Sequence, residues 1–283
     1  MQTHTIRDHF LSGEDFGIFT CPGCELQFTN PRPEPENLAR YYQSDEYLSH
    51  TAAKKGLVSG IYKFVRNISL RKKYSLISKY KPSGSILDVG CGTGEFLNFM
   101  KQHRWETTGI EPTEEARNFA SEQYGLNVLP EEKIDELPAS GFDVITLWHV
   151  LEHVPDLNGR MVQLKRLLKD DGLMVFALPN PGSWDAAYYG SYWAAWDVPR
   201  HLYHFNKTSF TKLLEKHLLK LISVHPMKFD SFYVSLLSEK YKSGRQNFLR
   251  ASISGLKSNI SANRNQNNYS SLIYLVKKQN QPF

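Results

Sequence analysis

The chain has 283 residues, a net charge of +5, 41% hydrophobic residues and 22% charged residues, which suits one α/β domain with appendages. No apolar run approaches the ~18–20 residues of a transmembrane helix, and "MQTHTIRDHF" lacks the apolar stretch of a signal peptide. Three cysteines make no disulfide framework, so a cytoplasmic location is the expectation.

Residues 1–53 read as an irregular extension, because the prolines of "NPRPEPENLARYY" prevent long regular elements beyond a short helix near its end. Within it, Cys21-Pro-Gly-Cys24 resembles one half of a zinc ribbon. Zinc needs four ligands. The remaining cysteine is Cys91, and His4 and His9 have no ligand-like spacing, so structural zinc is not expected in this chain. Either a preceding pair is missing from the start or the site has been lost.

Residues 54–81 read as a basic amphipathic helix. Leu57, Ile61, Phe64 and Ile68 recur at helical spacing, with nine Lys/Arg and no Asp/Glu between Lys54 and Lys81. From Tyr241 to the end there are seven more basic residues and again no acid. Basic segments flanking an acidic middle admit an anionic surface as partner.

From residue 82 to 283 strands and helices alternate. "SILDVG" (85–90) reads as a buried strand and 94–103 as a helix. "ETTGIEP" is a second strand, 113–124 a helix capped by Thr113, and "LNVL" a third strand. "FDVITLWHV" (142–150) is a strong strand, and 157–172 a helix ended by Gly172. Next come the strand "LMVFALPN" (173–180), a helix at 207–217, a strand at 221–227, a helix at 231–241 and a last strand at 270–278. This order predicts an α/β fold with a doubly wound, mostly parallel seven-stranded sheet of Rossmann-like type. Between 181 and 206 sits an insertion with six aromatics in "SWDAAYYGSYWAAW", an aromatic-rich lid.

The chemistry is concentrated in "DVGCGTGEF", where Asp88, Gly90, Gly92 and Gly94 join the first core strand to a helix. Glycines let a backbone turn tightly and approach a ligand closely. Glu111 ends the next strand, where a carboxylate can accept both ribose hydroxyls of an adenosine ligand. The spacing is not the G-x-G-x-x-G of dinucleotide enzymes, and no Gly-Lys-Ser/Thr follows.

On these residues the chain resembles the class I S-adenosylmethionine-dependent methyltransferases. "LDVGCGTGEF" matches their first motif, Glu111 the second, and "FDVITLWHVLEHVPD" the fourth-strand motif of the subgroup containing ubiquinone-biosynthesis O-methyltransferases and small-molecule methyltransferases. The resemblance covers roughly residues 70–230. It implies S-adenosylmethionine held by Asp88, Gly90, Cys91, Gly92, Gly94 and Glu111, with Trp148 and His149 facing its methionine end. The lid after the fifth strand then covers a small-molecule acceptor, with Tyr192, Trp193, Trp196, Arg200 and His204 against it. The expected methyl acceptor is an oxygen of a phenol, a sugar or a lipid-linked compound.

A hydroxyl acceptor must lose a proton, and histidine suits that task near neutral pH. His201 is the first choice of base, His149 the second and His153 the third. Some ubiquinone-type enzymes carry Glu-x-x-Glu-His after the fourth strand and use a divalent metal. Here His149 takes the first position before Glu152-His153, and no metal is expected. Two other readings stay open. An RNA-modifying methyltransferase would use the aromatics for stacking, but no RNA-binding module is recognisable and nucleic acid is not the expected partner. A non-catalytic scaffold would have little use for an intact glycine loop. The basic helix adds an anionic membrane surface as a partner, and the oligomeric state is not legible.

Overall fold

The computed structural model describes residues 1–34, 37, 39–42, 57–265 and 267–279, with side chains described outside 39 and 57–63. The amino-terminal stretch is not irregular. It forms β1 (Gln2–Arg7), β2 (Asp15–Thr20) and β3 (Gln27–Asn30), paired antiparallel in that order. The signal was weak because β1 buries only Ile6. Cys21-Pro-Gly-Cys24 is the tight turn between β2 and β3, with both thiols free. The short helix read at 35–42 lies partly outside the described residues, and 39–41 make a single 3-10 turn.

The basic segment becomes α1 (Leu57–Ser78). Its covered side differs from the expected one. Phe64 is exposed, whereas Leu70, Tyr74 and Ile77 pack on the core. The Leu57 and Ile61 side chains and residues 54–56 lie outside the described residues.

The central sheet uses β4 (Ser85–Val89), β5 (Glu106–Ile110), β6 (Asn127–Leu129), β7 (Phe142–Trp148) and β8 (Leu168–Pro179), paired parallel in the order β8-β7-β4-β5-β6. The short strand β9 (Tyr203–His204) leaves this sheet to pair with β3. Then β10 (Leu219–Pro226) and β11 (Ser271–Lys278) complete seven strands, with β11 antiparallel between β8 and β10. Between the strands run α2 (Glu95–Gln102), α3 (Glu114–Tyr124) and α4 (Leu157–Leu167). α4 stops five residues before Gly172, because Leu168 is fully buried and already pairs with Phe142 of β7. Apolar side chains on both faces of the sheet make the two main core clusters.

The insertion forms α5 (Trp184–Tyr189) and two 3-10 turns, followed by α6 (Lys207–Lys216) after β9. Its aromatics build a third core with the amino-terminal sheet, in which Trp193 and Trp196 meet Ile6, Phe16 and Ile18. Finally α7 (Asp230–Ser243) and α8 (Phe248–Arg264) form an antiparallel hairpin over the insertion. Sequence periodicity found the first of these helices and missed the second.

Two buried charges hold these parts together. The Asp185 carboxylate accepts from Trp193 Nε1 (2.9 Å), Ser258 Oγ (2.7 Å) and Ser270 Oγ (2.6 Å), tying α5 to α8 and β11. The Arg200 guanidinium, 1% exposed, donates to Asp8 Oδ1 (2.9 Å), Asp197 Oδ1 (2.8 Å) and the Tyr41 carbonyl (3.0 Å), while Phe10 covers its face. Burial pushes the Asp8 and Asp197 carboxyls up, but Arg200 outweighs it and holds both below the usual carboxylate range. Truncating one partner of such a group strands the others as buried charges, at about 3–5 kcal/mol. Arg200→Ala is therefore expected to lower the unfolding free energy by that amount in urea denaturation. A loss below about 1 kcal/mol, the range of an exposed ion pair, would contradict this role.

Candidate functional site

The carboxyl ends of β4, β5 and β7 meet at the glycine loop. Gly90 and Gly92 both have positive φ, +70° and +55°, a region side chains rarely adopt. A Cβ on Gly90 would also lie 2.5 Å from Val150, whereas one on Gly92 would meet nothing within 4 Å. The loop is therefore packed on one side and open on the other. Glu111, at the end of β5, accepts from the Gly92 amide (2.9 Å) with one oxygen and from the Thr113 amide (3.0 Å) with the other. Each carboxylate oxygen keeps a second lone pair, enough for two ribose hydroxyls.

Asp88 is 2% exposed and accepts from Thr146 Oγ1 at 2.5 Å. Burial pushes its carboxyl up to about 7, against the pull of Thr146 and Lys73. A cationic amine bound beside it would restore its charge. Trp148, at the end of β7, has its indole Nε1 buried without a partner among the described residues. Lys73 of α1 lies 3.9 Å above the same ring. Its surroundings push the ammonium down to about 8, with Asp88 and Asp230 opposing. An unpaired indole donor and a cation beside two carboxylates fit a zwitterionic amino-acid group such as the methionine moiety of S-adenosylmethionine. Cys91 turns its thiol toward Gly109 under the loop, and burial pushes that thiol up.

His149 follows Trp148 at φ +58°, a strained conformation for a non-glycine residue. Its amide donates to the Ala177 carbonyl (3.0 Å), its Nε2 meets Asp230 Oδ2 (3.0 Å) and its Nδ1 lies 3.4 Å from Glu152 Oε1. Burial works against its charge, yet the two carboxylates raise the imidazole to about 10. With both nitrogens facing carboxylates, the ring is a held imidazolium and has no lone pair for a proton.

Past it, Glu152, His153 and His201 converge, each with one ligand atom within 4.8 Å of the others. Glu152 is 1% exposed, and neither oxygen has a hydrogen bond among the described residues. Burial pushes its carboxyl up, and the facing His149 imidazolium outweighs that and holds it below the usual carboxylate range. Burial above all lowers His153 to about 4, so that ring is neutral, its Nδ1 on the Arg200 carbonyl at 3.0 Å. His201 places Nδ1 2.9 Å from the Ala195 carbonyl, which can only accept. The proton is therefore on Nδ1, and a neutral ring offers its Nε2 lone pair on the side of Asp197, 3.8 Å away.

The other acceptor-side candidates divide. Trp193 and Trp196 spend their indole N–H groups on Asp185 and on the Gly190 carbonyl, and both are buried. Arg200 is fully engaged, as described. His204 Nε2 lies 3.1 Å from Thr29 Oγ1, whose own proton goes to the His201 carbonyl at 2.6 Å, so His204 must donate. Burial keeps its pKa well below the usual value. Tyr192 is more than a third exposed, against His9, and His4 lies against Trp196. Sequence reading missed Lys73, Thr146, Asp185 and Asp230. Thr146, on β7 at the position paired with Asp88, was the one with a usable local signal.

A family model described as "Methyltransferase domain" matches residues 63–224. The ubiquinone biosynthesis O-methyltransferase of Sodalis glossinidius is 29% identical over 169 residues, 53% of this chain and 67% of that protein. The enzyme of the same name from Bordetella avium is 33% identical over 136 residues, 44% of this chain and 56% of that one. The match thus spans roughly half to two thirds of these relatives. Among solved structures, an S-adenosylmethionine-dependent methyltransferase from Archaeoglobus fulgidus superposes with a TM-score of 0.53 at 17% identity, covering 83% of this chain and all of that one. The 1,6-didemethyltoxoflavin-N1-methyltransferase of Burkholderia thailandensis gives 0.53 at 14% identity, covering 97% and 100%. At these identities the structural likeness establishes the fold.

Two outcomes are expected. Glu111→Ala should weaken S-adenosylmethionine binding roughly 10- to 100-fold in isothermal titration, the worth of a hydrogen-bonding carboxylate; unchanged affinity would move the ribose elsewhere. The raised pKa of His149 stabilises the fold fully below its ordinary value of about 6.5. That contribution disappears as pH rises through about 10. Urea midpoints should fall across this window, and the fall should be shallower in His149→Gln; parallel curves would show that His149 carries no such charge.

Proposed function

Because the chain belongs to the methyltransferase-domain family, whose donor is S-adenosylmethionine, we propose that it methylates an oxygen of a small molecule: a phenol, a sugar or a lipid-linked compound. The observation that carries this reading is the Nε2 lone pair of His201, whose tautomer is fixed by the bond from Nδ1 to the Ala195 carbonyl and which lies beside Glu152 and His153. The names of the ubiquinone relatives support oxygen as the methylated atom.

S-adenosylmethionine, when bound, supplies an electrophilic methyl group on a sulfonium. Asp88 and Glu111 would hold its amino group and ribose, and Trp148 and Lys73 its carboxylate. The acceptor hydroxyl gives its proton to His201 Nε2 as its oxygen attacks the methyl carbon, and the C–S electron pair leaves with sulfur. Asp197 and Glu152 are placed to stabilise the imidazolium that results. Positioning alone supplies up to about 7–11 kcal/mol of such a barrier, and a base adds roughly 10²–10⁴-fold. His149 keeps its charge and works by position. His153 steadies the ring of His201, edge to face at 4.6 Å.

Glu152, His153 and His201 also compose a donor set for a divalent cation. On this second reading, chelation would abolish activity and a divalent ion would restore it. In either case the chain works in a reducing compartment, where its three cysteines stay free. No helix among the described residues is long and apolar enough to cross a membrane. His201→Gln should lower kcat by roughly 10²–10⁴-fold and leave S-adenosylmethionine affinity unchanged. A variant with wild-type kcat would remove His201 from the chemistry.

A further inference from the structure

We propose that the outer face of α8 docks the protein on an anionic lipid surface. The helix is amphipathic in the opposite sense from a normal surface helix. Its inward positions are small, and Ala251, Ser254, Gly255, Ser258 and Ala262 are buried against α7 and the lid. Gly255 is needed there, since a Cβ would meet Phe232 at 2.7 Å. Its outward positions are large. Leu249, Ile253, Leu256 and Ile260 are 73%, 46%, 54% and 46% exposed. At about 100° per residue, these four fall within one narrow stripe.

Arg250, Lys257 and Arg264 line one edge of that stripe, and no Asp or Glu occurs from Tyr241 to the end of the chain. Among the described residues none of these three meets a carboxylate. On the other side of the stripe, Asn259 of α8 donates to the Lys228 carbonyl, next to Phe229, which the Lys72 ammonium of α1 covers at 4.7 Å.

An apolar stripe edged by cations, with no acid to answer them, is complementary to acyl chains beneath phosphate headgroups. It is poorly complementary to itself. A two-fold pair of these faces would bury the stripes but bring two acid-free, cationic surfaces together. The first residue of α7, Asp230, holds His149 at the donor end of the site, and its last turn leads into α8. A surface-docked α8 therefore keeps the reaction centre beside the bilayer. The docking itself does not depend on the acceptor being lipid-linked.

The test is flotation of the full chain with vesicles of phosphatidylcholine alone and of phosphatidylcholine with phosphatidylglycerol. Wild type should float only with the anionic vesicles, and less so as salt rises. Ile253→Glu/Leu256→Glu, and separately Arg250→Glu/Lys257→Glu, should each weaken binding roughly tenfold or more while S-adenosylmethionine titration shows the fold intact. All four positions are exposed, so at least one variant should fold. Absence of flotation by folded wild type would overturn the proposal. So would flotation unchanged by both variants, or a dimer in sedimentation that Ile253→Glu/Leu256→Glu dissociates.

Discussion

A buried guanidinium cannot be left unpaired, and Arg200 imposes that requirement on the amino-terminal sheet and the insertion between β8 and β9. To answer it, Asp8 comes from the loop after β1, Asp197 from the lid and the Tyr41 carbonyl from the segment before α1. The backbone that follows is then fixed at both edges, because the Leu202 amide donates to the Glu152 carbonyl and its own carbonyl accepts from Thr29. This stitching sets His201 against His153 and Glu152. The geometry proposed for proton removal is thus inherited from a charge that touches no substrate.

Asp185 does the same for the other half of the insertion. Three donors converge on it from Trp193, α8 and Ser270, just before β11, and each remaining lone pair is costly to leave unmet in so dry a place. Small side chains on the inner face of α8 make that approach possible. The large apolar residues a helix of this length would normally bury are displaced outward, and the interior need for close packing thereby creates the exposed stripe.

The parts of the fold that rest on local sequence were legible. Strand, glycine loop, helix and terminal acid follow one another within about thirty residues, and backbone geometry alone gives Gly90 and Gly92 their identity. The same alternation predicted a mostly parallel sheet of seven strands, but neither the strand order nor the antiparallel β11. What was not legible is tertiary. Nothing around Lys73 distinguishes it from its basic neighbours until α1 packs on Trp148. Asp230 acquires a role only because α7 begins beside His149. The aromatic run suggested a lid against substrate, but Trp193 and Trp196 serve equally as the core that seats the amino-terminal sheet. Helix α8 escaped notice because Ser and Gly occupy its buried positions, which inverts the usual pattern.

The most direct measurement is a crystal structure with S-adenosylhomocysteine bound. The expected result puts the ribose on Glu111, the amino group on Asp88 and the carboxylate toward Trp148 and Lys73. The sulfur then faces a space bounded by His201 Nε2, with room for one acceptor atom between them. A ligand seated away from the open side of Gly92, or a His201 sealed from the sulfur by the lid in the bound state, would contradict the proposed chemistry.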